Sequence, residues 1–257
     1  MFLRSLSLAA LASVLLVGVS TPAFAGTIPT TCEPGVCGWS ITVGLNVEAS
    51  GDLAFDADGN ITLLGTPSWS DGAGSSASIT GLSGNVDPEI VFGLGATNAT
   101  NGTLTYSFAF SLPLGGLSVP ISTYAELGTT LTSPTGLSAF LFPTSGVGKI
   151  VDSQDIRLSP FLSTDKGVDI GLAKTGAVGT TSLYFESASG SITTGGPYDL
   201  MSVIVSFGLT DPGGAAAAGV GMSGKVSQLP IPEPATLVML SGGLVGLATF
   251  GRRYPRS

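Results

Sequence analysis

Large apolar side chains recur at every second position along much of this chain. The strongest example runs from residue 103 to 112, where one face carries Leu104, Tyr106, Phe108, Phe110 and Leu112. A second lies at 200–210, where one face carries Met201, Val203, Val205, Phe207 and Leu209. A period of two is typical of β-strands, and five large side chains on one face indicate a strand in the middle of a core.

Weaker segments of the same kind predict the rest of the fold. We expect further strands at 38–49, 52–55, 60–64, 78–80, 89–94, 122–132, 137–142, 149–158, 168–173, 182–187 and 219–228. Glycine and proline interrupt nearly every gap, and no segment has the 3.6-residue period of a helix. Many short strands separated by turns predict an all-β fold, an antiparallel β-sandwich or jelly roll, over residues 26–229.

Residues 1–25 have the three parts of a secretory signal peptide. Arg4 supplies the positive start, residues 6–19 the apolar centre, and Ala23 and Ala25 the small-x-small pattern before the cleavage site. We therefore expect signal peptidase to cut before Gly26 and the chain to be exported.

Residues 230–257 predict a membrane segment with a defined start. From residue 234 to 251 there is no charged residue, and as a helix this run spans about 27 Å, just enough for the hydrocarbon core of a bilayer. Prolines before the run prevent an earlier helix start, and arginines after it place the C-terminus in the cytoplasm. The defining residues are Pro232, Glu233, Pro234, Arg252 and Arg253.

This tail resembles the PEP-CTERM sorting tail of Gram-negative bacteria. The Pro-Glu-Pro motif, the Gly/Leu-rich run and the arginine pair occur in the family's order, although Tyr254 and Pro255 interrupt the basic cluster. The resemblance covers about residues 231–257. It implies a transient inner-membrane anchor, cleavage by an exosortase, and release to the surface or matrix of an exopolysaccharide-producing, biofilm-forming cell. It assigns no function to the preceding domain.

The charge and residue inventory excludes several classes of function. Between residues 26 and 148 there is no lysine or arginine, so we expect no nucleic-acid partner. The chain has no histidine, which removes the common nucleophile–histidine arrangements and histidine metal sites. Two carboxylate pairs, Asp152 with Asp155 and Asp165 with Asp169, have a composition that glycoside hydrolysis could use. Neither lies in a recognisable motif, and we predict a non-enzymatic protein without a cofactor.

Cys32 and Cys37 are the only cysteines, and a Pro-Gly turn lies between them. An exported chain meets an oxidising compartment, which favours a local disulfide. The alternative is a metal site, for which two cysteines alone supply too few ligands.

The segment around Asp56, Asp58 and Asn60 predicts first a hairpin turn, because Asp58 precedes a glycine. The same string resembles a calcium loop. However, the downstream carboxylate of such a loop is absent, because position 67 is proline. We predict no metal and keep calcium at these three residues as a secondary hypothesis.

Two functions remain open for the exported domain. The first is a structural component of the matrix that associates with exopolysaccharide. The second is a carbohydrate-binding module on the same scaffold, for which Trp69, expected in a loop beside Asp71, is the candidate for sugar stacking. An exposed Trp69 would favour the second function, and a buried one the first.

We predict that processing at both ends leaves a mature species near residues 26–231. Intact-mass measurement of the protein recovered from outside the cell tests this. A recovered form that still carries Arg252 and Arg253 would contradict the sorting hypothesis.

Overall fold

The computed structural model describes residues 37–56, 59–63, 67–85, 89–117, 120–134, 137–158, 161–164, 167–193, 198–211, 213 and 217–231. Within these residues the regular structure is entirely β, which confirms the all-β prediction. The strands are β1 (Gly38–Val43), β2 (Asn46–Asp52), β3 (Ala54–Phe55), β4 (Asn60–Thr62), β5 (Ser68–Ser70), β6 (Ser76–Asn85), β7 (Glu89–Asn98), β8 (Thr103–Leu117), β9 (Ile121–Thr132), β10 (Phe140–Pro143), β11 (Val151–Leu158), β12 (Phe161–Thr164), β13 (Lys174–Thr175), β14 (Thr181–Ile192), β15 (Tyr198–Thr210) and β16 (Ala218–Pro230).

The strands form two antiparallel sheets, consistent with a β-sandwich. Sheet A has the order β12-β11-β15-β8-β1-β2, with β10 paired to β15 and β13. Sheet B has the order β14-β9-β16-β7-β6-β4-β3, with β5 paired to β6. The chain repeatedly leaves one sheet for the other, as from β7 to β8 to β9 and from β14 to β15 to β16, so most pairings join strands distant in sequence.

The core lies between the two sheets and is built from the faces that the sequence predicted. Phe108, Phe110 and Leu112 of β8 are buried, as are all five inward residues of β15. Phe110 stacks on Phe92 of β7 across the gap between the sheets, with ring centroids 5.9 Å apart. Period-two patterning thus assigned the inward faces of β8 and β15 correctly, because each strand buries one whole face.

Two hydrogen bonds connect the sheets where β7 ends. The hydroxyl of Tyr106 in β8 donates to the carbonyl of Thr97, at 2.6 Å. The side-chain amide of Asn98, which is fully buried, donates to the carbonyl of Leu209 in β15, at 2.6 Å. Because unpaired buried polar groups cost free energy, these bonds help to fix this end of the sandwich.

The predicted strand over 38–49 is in fact two strands joined by a turn. Gly44 has a φ of 64°, a left-handed conformation that glycine adopts readily, and the chain reverses there. The alternation therefore stops at Val43. Leu45 is 99% exposed and Val47 is 65% exposed, whereas the pattern had placed both in the core.

Other predicted boundaries also differ from the structure. No strand forms over 168–173, where a single bridge pairs Ile170 with Val151 and Gly171 has a φ of 97°. β5 and β12 had not been predicted as strands, because segments of three and four residues are too short to show a period.

Several predictions fall outside the described residues, among them the signal peptide, the sorting tail and Cys32. Cys37 is disulfide-bonded, and its pairing with Cys32 stays a prediction. None of the described segments contains a helix long and apolar enough to cross a membrane.

Replacing Phe108 with alanine is expected to lower the free energy of unfolding by about 3–5 kcal/mol, because a fully buried aromatic ring at the centre of the core is lost. Chemical denaturation measures the change. The control Leu45→Ala removes a fully exposed side chain and should change stability by less than about 0.5 kcal/mol. A Phe108→Ala effect as small as that of the control would contradict the assigned core.

Candidate functional site

On the outer face of sheet B, glycines of neighbouring strands lie side by side. Going across strands β14, β9, β16 and β7, one row consists of Phe185, Gly128, Ser223 and Gly93. The next row consists of Leu183, Thr130, Gly221 and Gly95. Each row has a large apolar residue only at the β14 end. The small side chains in the middle of the sheet therefore leave a depression in its outer surface.

These rows form a trough of about 590 Å³. Hydroxyl groups of Thr80, Thr130 and Ser223 line it together with Gly95, Gly128 and Gly221, and Leu183 forms its wall on β14. The neighbouring hydroxyls leave little room for larger floor residues. A Cβ atom at Gly93 would lie 2.8 Å from Thr80 Oγ1, and one at Gly128 would lie 3.1 Å from Ser223 Oγ.

Glycines at such positions expose the backbone to close approach by a ligand or another chain. The trough therefore offers backbone surface and hydroxyl donors and acceptors to whatever lies in it.

A row of charged and polar side chains borders the trough. Lys225 of β16 pairs with Glu89 of β7, with 2.6 Å between Nζ and Oε2. The hydroxyl of Tyr124 donates to Glu126 Oε2 at 2.9 Å, and Glu126 lies directly opposite Lys225. The hydrogen bond to Glu89 raises the pKa of Lys225, and the hydrogen bond to Glu126 raises the pKa of Tyr124. The carboxylates of Glu89 and Glu126 and the amino group of Lys225 thus lie close together beside the trough.

The side of the trough that β14 forms is apolar. Leu183 is 77% exposed and Phe185 is 69% exposed, both on the outward side of β14. Their neighbours Tyr184 and Glu186 point to the other side, where Tyr184 packs against the core. β14 was predicted as a strand, but the sequence did not indicate that its larger apolar residues would face outward.

Trp69 does not lie in a loop, as expected, but on the short strand β5, partly buried against the core. The nearby Asp71 is occupied in the turn that follows: its Oδ1 accepts the N–H groups of Ala73 at 2.7 Å and Ser75 at 3.0 Å. The bond from Ala73 contributes most to lowering the pKa of Asp71. Trp69 is thus less exposed than a loop position would make it, and its role in sugar stacking stays a prediction.

The Asp56 carboxylate organises a hairpin turn. Its two oxygens accept the backbone N–H of Asn60 at 2.8 Å and the side-chain amide of Asn60 at 2.9 Å. Asp58 lies outside the described residues. Within the described part of the chain, no group of three or more His, Cys, Asp or Glu side chains is placed to hold a metal ion.

The carboxylates singled out for hydrolysis also have partners. Asp152 is buried and accepts a hydrogen bond from the Gln154 side chain, 3.2 Å from its Oδ2. Asp169 Oδ1 accepts the backbone N–H of Ser153 at 3.0 Å. Asp165 and the side chain of Asp155 lie outside the described residues.

The trough residues themselves were missed from the sequence. A signal was present: glycines stand two residues apart at positions 93 and 95 of β7 and at 219 and 221 of β16. Such spacing places both glycines of a strand on one face, but only the sheet order brings the two strands side by side.

Comparisons with known proteins add no family. No protein-family model and no curated protein matches the chain. One solved structure with some similarity is the enzymatically active domain of tailspike protein 4 from bacteriophage CBA120, with 12% identity and a TM-score of 0.24. The match covers 55% of this chain and 16% of the tailspike chain. A TM-score this low carries no argument about fold or function.

Two glycines of β16 are expected to differ in their response to replacement by alanine. At Gly224, on the inner face, a Cβ would lie 2.3 Å from the Phe92 ring, so Gly224→Ala should destabilise the fold by about 1–3 kcal/mol through overpacking. At Gly221, in the trough, the nearest atom would be 3.9 Å away, so Gly221→Ala should be close to neutral. Denaturation curves of both variants test the assignment of faces, and equal effects would contradict it.

Proposed function

We propose that this protein is an exported, non-catalytic component of a cell surface or extracellular matrix that contacts exopolysaccharide through the trough on the outer face of sheet B. The trough is the observation that carries the proposal. It is open, so an extended polymer can lie across it. Its threonine and serine hydroxyls can hydrogen-bond with sugar hydroxyls, and its glycines let a sugar ring come close to the sheet.

The side chains around the trough suit a sugar polymer better than a small apolar ligand. Sugars combine many hydroxyls with apolar ring faces. The charged row supplies the carboxylates of Glu89 and Glu126 as acceptors and Lys225 as a donor. Leu183 and Phe185 supply an apolar border on which a ring face can rest. A shallow site of this kind favours weak contacts repeated along a polymer, as in a matrix component.

The routing part of the proposal rests on the two chain ends. A signal peptide over residues 1–25, followed after export by a membrane segment within 230–257, would hold the protein in the inner membrane. The Pro-Glu-Pro motif would then make it a substrate for an exosortase. Signal peptidase and exosortase are thus the proposed processing enzymes, and the inner membrane is a transient partner.

The non-catalytic part rests on the residue inventory. With no histidine in the chain, catalysis near neutral pH would need another tuned acid or base, a nucleophile with a partner, or a metal-bound water. Among the described carboxylates, those of Asp71 and Asp56 hold turns, and that of Glu186 is held by Lys174 and two backbone N–H groups.

A lectin-like, sugar-selective module is the second candidate, favoured by the same trough. Partial burial of Trp69 weakens the version of this function that relied on stacking at that residue. The two candidates differ in affinity and selectivity: a matrix component binds the polymer weakly and at many points, whereas a lectin binds defined sugar units tightly.

The test is cosedimentation of the full-length chain, in mild detergent, with the exopolysaccharide of the producing bacterium. Gly221→Leu fills the trough at a position with room for a Cβ, and we expect about tenfold weaker binding, or about 1.4 kcal/mol. The control Gly146→Leu places the same side chain in open space on a turn and should bind like wild type. Measurements with and without calcium test the secondary cation hypothesis.

Equal binding by Gly221→Leu and the wild type would contradict the trough as the contact site. Turnover of the polysaccharide that is lost on changing a single Asp or Glu would contradict the non-catalytic proposal. Tight binding of one short oligosaccharide would favour the lectin alternative.

A further inference from the structure

The long edge strand β14 differs from the other sheet edges of the described structure. It runs over Thr181–Ile192 and pairs with β9 in unbroken register at every position. In the described residues no strand pairs with its other side. Its backbone N–H and C=O groups on that side therefore form a template for a further strand.

The remaining edges carry features that discourage pairing. β3 and β12 have two and four residues. β2 is paired to β1 through a register shift and carries the acidic residues Glu48 and Asp52. Short length, charge and irregular register are the usual protections of sheet edges. β14 has neither lysine nor proline nor a register shift.

β14 is also held firmly in position from its inner side. Glu186 accepts the backbone N–H groups of Gly171 at 3.2 Å and Leu172 at 3.3 Å and forms an ion pair with Lys174. The Tyr184 hydroxyl donates to the carbonyl of Thr175 at 2.6 Å. These contacts join β14 to residues 171–175, which include β13 of sheet A. The edge strand is therefore held in place without a partner.

We propose that β14 is a self-association edge, at which two copies of this chain pair antiparallel and join their B sheets into one. The proposal goes beyond polymer binding and rests on the β14 edge, whose Leu183 and Phe185 also border the trough. A pair related by a two-fold axis uses the same surface on both copies, which requires a self-complementary edge.

Residues 181–187, the first part of β14, are self-complementary about Tyr184. Antiparallel pairing centred there places Leu183 opposite Phe185 of the second copy, and Phe185 opposite Leu183 of the second copy. Directly opposite residues have Cβ atoms about 4.5–5.5 Å apart, so the four exposed apolar side chains would cover one another. Glu186 falls opposite Ser182 of the second copy, which keeps the two carboxylates from facing each other. Apolar matching and charge separation together favour a second copy over an unrelated strand.

The test is the association state of the full-length chain in mild detergent, measured by sedimentation velocity over a range of concentrations. Phe185→Lys places a charge on the edge without disturbing the core, since this side chain is mostly exposed. We expect a dimer for the wild type and at least about tenfold weaker dimerisation for Phe185→Lys. The control Leu45→Lys makes the same type of change at a fully exposed turn and should dimerise like the wild type.

Disulfide trapping tests the register. When Leu183→Cys and Phe185→Cys chains are mixed and oxidised, a covalent heterodimer should form, whereas Leu45→Cys chains should give none. The proposal is overturned by a monomeric wild type, by a dimer that Phe185→Lys leaves intact, or by no heterodimer in the trapping experiment. Protection from hydrogen exchange, in a monomer, of those β14 amides that point away from β9 would mean that another segment of the same chain covers the edge, which also overturns the proposal.

Discussion

Packing of inward-facing aromatic rings between the two sheets is the interaction on which the rest of this structure depends. Phe108 and Phe110 of β8 lie fully buried at the centre of the molecule, and Phe110 meets Phe92 of the opposite sheet. β8 and β15 each give a whole face to this layer. The strands that carry the outer-face features, β7, β9 and β16, are aligned because their inner faces pack into the same core.

Glycine has opposite uses on the two faces of sheet B. On the inner face, Gly224 makes room for the Phe92 ring, so its missing side chain serves packing. On the outer face, Gly93, Gly95, Gly128 and Gly221 leave a trough with hydroxyl walls. The same residue type therefore stabilises the core on one side and opens the surface on the other. A sheet whose outer face is this low can bring its backbone close to another extended molecule.

The proposed polymer contact and the proposed self-association would act on one continuous surface. The trough crosses the strands of sheet B and reaches the outward residues of β14, where the second copy is proposed to join. Pairing at that edge would extend the outer face from one copy into the next. Several weak contacts would then act together, which raises the strength of attachment without any single tight site. That arrangement suits a protein that works in a matrix by bulk and repetition.

The sequence by itself determined the fold class and the inward faces of the longest strands, because each such strand buries one complete face and the period of two records it. It also carries the routing hypothesis at the chain ends. It did not locate the turn at Gly44, where one glycine conformation ends an alternation that otherwise continues to Val47. Only the tertiary structure placed Trp69 against the core, turned Leu183 and Phe185 outward, and brought the glycines of β7, β9 and β16 into one trough. Alternation tells which residues share a face, but long-range strand pairing decides which face is covered and which strands become neighbours.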